Sequence, residues 1–255
     1  MSPSQKNNSN EINKQTVFIS GASSGIGAAT ALLFAKQGAN LILVGRRKEQ
    51  LQKVAAEAES HGVQVSIFNC DINNTKEVKN IFESIQHLDI AINNAGIEGK
   101  INDTTLLEDE DYDLVMNTNV KALWHCMQEQ IRWWRNRQVP GSIINVSSIA
   151  GIRGFAESSI YVASKHAVIG LTKAIALEQI RHGIRINSVS PGAIDTEMLR
   201  RIYPTNLDAV SRILPAKRVG ESSEIAEAIV WLASQKSSYV VGHNLIVDGG
   251  KTIQG

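Results

Sequence analysis

From Val17 to Val247 the chain alternates short β-branched and aliphatic runs with longer amphipathic stretches, and that alternation narrows its architecture more than any other feature. The runs Val17-Phe18-Ile19, Leu41 to Val44, Val63 to Phe68, Leu88 to Ile92, Ser142 to Val146, Arg185 to Val189 and Asn244 to Val247 read as strands. Helical periodicity marks Ile26 to Gln37, Glu49 to Ser60, Lys76 to Gln86, Asp111 to Arg137, Ser159 to His182 and Ser223 to Ser234. The core strands are apolar on both faces, which requires helices on each side of a parallel sheet. The expectation is an α/β fold: a doubly wound parallel sheet of about seven strands with right-handed crossovers.

A chain of 255 residues, 43% of them hydrophobic, is long enough for one sizeable core, and residues 14–255 read as one domain. Residues 1–13, rich in Ser, Asn and Gln and without an apolar stretch, read as a flexible polar tail. Twenty-six Lys and Arg against 25 Asp and Glu leave a formal charge of +1, which gives no basic footprint for nucleic acid. No apolar run is expected to reach the roughly 20 residues that cross a bilayer, and the expected location is cytoplasmic. Cys70 and Cys126 lack metal-ligand spacing, so they read as small buried hydrophobes and no metal site is expected.

The first strand runs into Ser20-Gly21-Ala22-Ser23-Ser24-Gly25-Ile26-Gly27, inside which a helix begins. Glycines let backbone approach a pyrophosphate closely, and the free N–H groups and dipole of a helix N-terminus stabilise its charge. The spacing G-x-x-x-G-x-G departs from G-x-G-x-x-G, but its place after a strand points to a dinucleotide. After the second strand, where an acid would hold the ribose hydroxyls of NAD, the chain reads Gly45-Arg46-Arg47. A guanidinium suits a phosphate and no nearby carboxylate is expected to repel one, so NADP(H) is expected over NAD(H), although paired arginines also begin solvated helices. Asp71-Ile72, after the third strand, could meet the adenine amino group, and an Asp there could equally cap a turn.

Tyr161 and Lys165 stand four residues apart on one face of a helix. An ammonium beside the phenol is expected to lower its pKa and suit it to proton exchange, although such pairs also stabilise exposed helices.

With this glycine spacing, Asn93-Asn94-Ala95-Gly96, Asn119, Ser148, Tyr161, Lys165 and Pro191-Gly192 in order, the chain resembles the short-chain dehydrogenase/reductase family from about residue 14 to 250. The likeness is to its shorter single-domain branch, 3-oxoacyl-reductase-like and alcohol-dehydrogenase-like, with a Rossmann-like fold. Ser148 falls thirteen residues before Tyr161, as in the family pattern, and Ser20 stands where Thr is usual. The resemblance implies Tyr161 as general acid/base, Lys165 acting on it and on the nicotinamide ribose, Ser148 on the substrate oxygen and Asn119 in a proton relay. It also implies that Asn93, Ala95 and Gly96 line the cofactor, and that Pro191, Gly192, Ile194 and Thr196 hold the nicotinamide carboxamide. The closing segment Val241 to Gly250 resembles that of homotetrameric members, with a homodimer as the alternative. Trp124, Trp133 and Trp134 could bury area at such an interface.

The expected activity is interconversion of a ketone and a secondary alcohol, with a small-molecule carbonyl or alcohol as partner. A non-catalytic dinucleotide sensor of the same fold would have no need of the full Asn119, Ser148, Tyr161 and Lys165 set. An enoyl reductase of the family would place more than three residues between tyrosine and lysine. Ala193 to Gly220 breaks the rhythm at Pro204 and Pro215, reads as strand-free and is a candidate substrate lid. Ile149 to Glu157 and Ala193 to Pro215 are the expected pocket walls, with Arg153, Glu157, Arg200 and Arg201 among them.

Overall fold

In the computed structural model, which describes residues 12–254, seven parallel strands form one sheet in the order β3-β2-β1-β4-β5-β6-β7. The strands are β1 (Thr16–Ser20), β2 (Asn40–Gly45), β3 (Val65–Asn69), β4 (Ile90–Asn93), β5 (Gly141–Val146), β6 (Ile184–Pro191) and β7 (Asn244–Val247). The helices are α1 (Gly25–Lys36), α2 (Lys48–Glu59), α3 (Thr75–Ser84), α4 (Asp109–Met116), α5 (Leu123–Arg137), α6 (Ser159–Gln179), α7 (Glu197–Ile202), α8 (Leu207–Ile213) and α9 (Ser222–Ala233). This is the expected doubly wound fold.

The alternation of side chains along each strand divides the core in two. Val17 and Ile19 of β1 join Phe34, Leu51 and Ile225 from α1, α2 and α9 on one face. Phe18 turns to the other, where it meets Phe82 with ring centroids 5.0 Å apart, among side chains of α3, α5 and α6. β1 pairs with both β2 and β4, so Ser20 lies beside Val44 on one side and Asn93 on the other. Chain direction out of the sheet reverses at that point, and in such sheets ligands bind outside the carboxyl ends of the strands there.

Several expectations change in detail. Most of the expected tail lies outside the described residues, but Ile12 is buried in the core and Gln15 N donates to its carbonyl at 3.1 Å. Asp111 to Arg137 is not one helix: a π turn, Asn117–Ala122, separates α4 from α5. A widened turn has no hydrophobic period of its own to read. Ala193 to Gly220 carries two short helices, α7 and α8, on either side of Pro204, with one parallel bridge between Ile194 and Gly220. Trp133 and Trp134 are core residues whose indole N–H groups donate to Ile85 O at 3.4 Å and Leu88 O at 2.6 Å, leaving only Trp124 of the three exposed. The continuous helix Ser159–His182, 24 residues with mean hydropathy 1.2, is long and apolar enough to cross a membrane, contrary to expectation. Here it is a layer of the sandwich, with Lys165, Val168, Thr172 and Ala176 buried.

Candidate active site

A cleft of about 1020 Å³ opens at the carboxyl ends of the strands. One end is built by the β1–α1 turn. Gly21 has φ +67° and the Cβ that any other residue would bring lies 2.8 Å from Asn94 Nδ2, while a Cβ on Gly27 would lie 2.2 Å from the Gly21 carbonyl oxygen. Both glycines are therefore needed for the turn to close on itself. Ser24 stands at the N-cap of α1 without a side-chain cap bond, so the helix's first N–H groups remain for an anion. Gly21, Ser23, Ser24, Gly25 and Ile26 line the cleft, whereas Gly27 supports it from behind.

Arg46, Arg47, Asp71 and Ile72 form the next wall. The sequence expectation that no carboxylate stands near the arginines is corrected by the fold. Arg46 Nη1 lies 3.8 Å from Asp71 Oδ2, and Arg47 Nη1 donates to Glu197 Oε2 at 2.6 Å. Glu197 comes from α7, 150 residues away in sequence, and local composition gives no sign of it. Cys70 lies beside Asp71, and burial with Glu77 nearby pushes its thiol up to about 12. Cys126 is pushed up to about 12 by burial as well, so neither is a ready nucleophile.

Ala95, Gly96, Ser148, Tyr161, Lys165, Pro191, Gly192, Ile194 and Thr196 line the other end, as expected. Asn93 does not. It is 2% exposed and donates to Gln130 Oε1 at 3.1 Å and Asn145 Oδ1 at 2.9 Å, because the pleat of β4 turns it into the core. Asn94 takes its place, donating to the Ser20 and Gly21 carbonyls at 3.2 and 3.1 Å and so fixing the glycine turn.

Asn119 sits in the π turn behind the cleft. Its side chain accepts from Ile97 N at 2.8 Å and donates to Ile97 O at 2.9 Å and Ser164 Oγ at 3.1 Å. It thereby locks the loop after Gly96 against α6. A Cβ on Gly96 would lie 3.2 Å from Asn119 Oδ1 and 3.4 Å from Lys165 Nζ, so glycine keeps this floor of the cleft open. Ser147 Oγ donates to the Lys165 carbonyl at 2.9 Å. Ser148 Oγ instead accepts from Ala150 N at 3.1 Å, which leaves its proton to give.

The electrostatics differ from the simple expectation. Lys165 Nζ donates to Val146 O at 3.1 Å, lies 5.7 Å from the centre of the Tyr161 ring and is pulled down to about 8 by burial. Tyr161 is raised above its usual value: burial raises it most, the Ser148 hydrogen bond lowers it, and the Glu98 carboxylate raises it further. Desolvation of the phenol outweighs any pull from the lysine. Glu98 and Arg201, which clasp each other at 2.7 and 3.2 Å, both line the cleft. Sequence reading missed Glu98, although it stands two residues after the Asn-Ala-Gly motif. Arg200 is bound to Asp195 at 2.8 Å through two nitrogens, Arg153 donates to Lys251 O at 2.8 Å, and neither lines the cleft. Among the described residues, no group of three or more His, Cys, Asp or Glu is placed to hold a metal.

The glycine turn, the uncapped helix N-terminus and the floor at Gly96 fit a nicotinamide dinucleotide laid from Arg46 to Lys165. Known proteins agree. A family model described as enoyl-(acyl carrier protein) reductase matches residues 21–252. The A-factor type gamma-butyrolactone 1'-reductase of Streptomyces virginiae is 38% identical over 243 residues, covering 92% of this chain and 95% of that protein. The structure of ElxO with NADP bound superposes with a TM-score of 0.86 at 32% identity, covering 94% of this chain and all of that one at 100%. Carveol dehydrogenase from Mycobacterium avium in complex with NAD gives a TM-score of 0.90 at 26% identity, covering 96% and 99% of the two chains. Sequence, fold and site converge on one conclusion: this chain belongs to the short-chain dehydrogenase/reductase family and is an NAD(P)-dependent oxidoreductase.

Proposed function

We propose that the protein is an NADP(H)-preferring reductase of an apolar ketone, a reading carried by Tyr161, Ser148 and Lys165 facing one cleft whose far wall bears Arg46 and Arg47. The substrate end is walled mainly by Ile101, Ile149, Phe155, Ile202, Val210 and Leu214, which favours a hydrocarbon body around the reacting carbonyl. Its charged neighbours Glu98 and Arg201 neutralise each other.

Gly21 to Gly27, Arg46, Asp71, Gly96, Lys165 and Thr196 would hold the dinucleotide. When bound, its nicotinamide supplies or accepts the hydride. Ser148 donates its hydroxyl proton to the substrate oxygen and steadies the charge developing there. Tyr161, kept protonated by burial, gives its proton to that oxygen during reduction and takes it back during oxidation. Lys165 holds positive charge beneath the phenol, and Asn119 keeps the loop after Gly96 and α6 in register. The description of the matched family model names enoyl reduction. The Tyr161–Lys165 spacing, with three residues between, favours the carbonyl.

The phosphate reading is tested by titrating the protein with NADPH and NADH at fixed ionic strength, because exposed charge is screened by salt. NADPH is expected to bind more tightly, and Arg46→Ala to weaken it about tenfold while leaving NADH within twofold. Equal or tighter NADH binding by the parent protein would overturn the preference.

A further inference from the structure

Arg47 is the most heavily engaged cation on the phosphate wall. Its Nε and Nη2 lie 3.2 and 3.1 Å from Ser23 Oγ, Nη2 also donates to Ser24 Oγ, and Nη1 donates to Glu197 Oε2 at 2.6 Å. Arg46 makes only a 3.8 Å approach to Asp71 with its side chain 65% exposed. The two arginines adjoin in sequence but present different problems to a phosphate.

A guanidinium reads a phosphate through a fork of N–H donors, and Ser23, Ser24 and Glu197 already occupy the fork of Arg47. A 2′-phosphate carries about −1.5 to −2 charge near neutral pH, so it cannot share that fork with a carboxylate without repulsion. A phosphate that takes Arg47 as well as the freer Arg46 displaces Glu197. A dinucleotide with a free 2′-hydroxyl leaves the ion pair in place. Glu197 is held at this spot by the fold: Thr196 caps α7 by accepting from Leu199 N at 3.3 Å, and one turn on, Arg201 is fixed to Glu98.

We propose that Glu197 competes with the 2′-phosphate of NADP(H) for Arg47, which makes it a residue that sets cofactor discrimination from the opposite side of the cleft. The inference rests on the phosphate reading above and adds to it a built-in opponent. In the parent protein the opponent narrows the gap between the two cofactors, because only the phosphorylated one has a carboxylate to evict.

The test is a double-mutant cycle read by nicotinamide fluorescence, with NADPH and NADH as probes at fixed ionic strength. Glu197 is more than half exposed, so Glu197→Gln keeps size and fold while removing the charge. Glu197→Gln is expected to tighten NADPH about threefold to tenfold and to leave NADH within twofold. In the Arg47→Ala background the same substitution is expected to give no gain. An unchanged NADPH-to-NADH ratio in Glu197→Gln overturns the proposal. So does a gain that persists without Arg47, since that would reflect only the loss of one negative charge from the cleft. Failure of the phosphate reading itself appears separately, as equal or tighter NADH binding by the parent and no effect of Arg46→Ala.

Discussion

Replacing Tyr161 by phenylalanine is expected to lower kcat for carbonyl reduction by about 100- to 10,000-fold, the contribution of a well-placed general acid, while NADPH binds as before. The substitution deletes one oxygen and keeps the ring. The phenol, hydrogen-bonded to Ser148, is the group best able to deliver a proton at this point of the cleft. Burial holds that phenol above its ordinary range, so at neutral pH it is a donor rather than a phenolate. Reduction therefore finds the residue ready, and oxidation has to draw the proton off against the same burial. Stopped-flow turnover alongside a cofactor titration checks the split. Unchanged kcat would remove Tyr161 from the chemistry, and lost NADPH binding would make it a binding residue.

Lys165→Met is expected to separate activity from stability. Burial draws the ammonium from 10.5 down to about 8, so between those values the unfolded chain holds one more proton than the folded one. Stability therefore rises with pH across that window, and below it the buried charge costs on the order of 3 kcal/mol. Methionine removes that cost and leaves the Val146 carbonyl without its 3.1 Å donor, an offset of about 1 kcal/mol. The thermal midpoint at pH 7 is expected to hold or rise while turnover falls by about 100-fold or more. In the parent protein, reduction should weaken as pH rises through about 8 and the lysine loses its charge, and the variant should lack that limb. A midpoint several degrees lower would contradict the burial cost. Unchanged turnover would take the lysine out of the mechanism.

Much of this was legible because local pattern and tertiary role coincide. Each strand is a short apolar run covered on both faces, and the glycine turn follows the first of them. Ser148, Tyr161 and Lys165 stand at spacings that secondary structure converts directly into proximity. The failures have a shared physical origin in contacts made across the fold. Glu197 reaches Arg47 over 150 residues and Arg201 reaches Glu98 over 103, and neither partner is visible from the sequence around the arginines. The family resemblance implies Asn93 at the cleft, but the pleat of a four-residue strand decides which of two adjacent asparagines faces it. Likewise, charge spacing suggested that Lys165 lowers the Tyr161 pKa, whereas desolvation acts on both groups and dominates each.

The central claim is that this cleft delivers hydride to a carbonyl carbon. The most direct measurement uses NADPH deuterated at the nicotinamide C4 with an apolar α,β-unsaturated ketone, and locates the label in the product by mass spectrometry and NMR. Deuterium is expected on the former carbonyl carbon, with the carbon–carbon double bond intact. Deuterium on the β-carbon with the carbonyl retained, or cofactor oxidised with the label released to water, would contradict it.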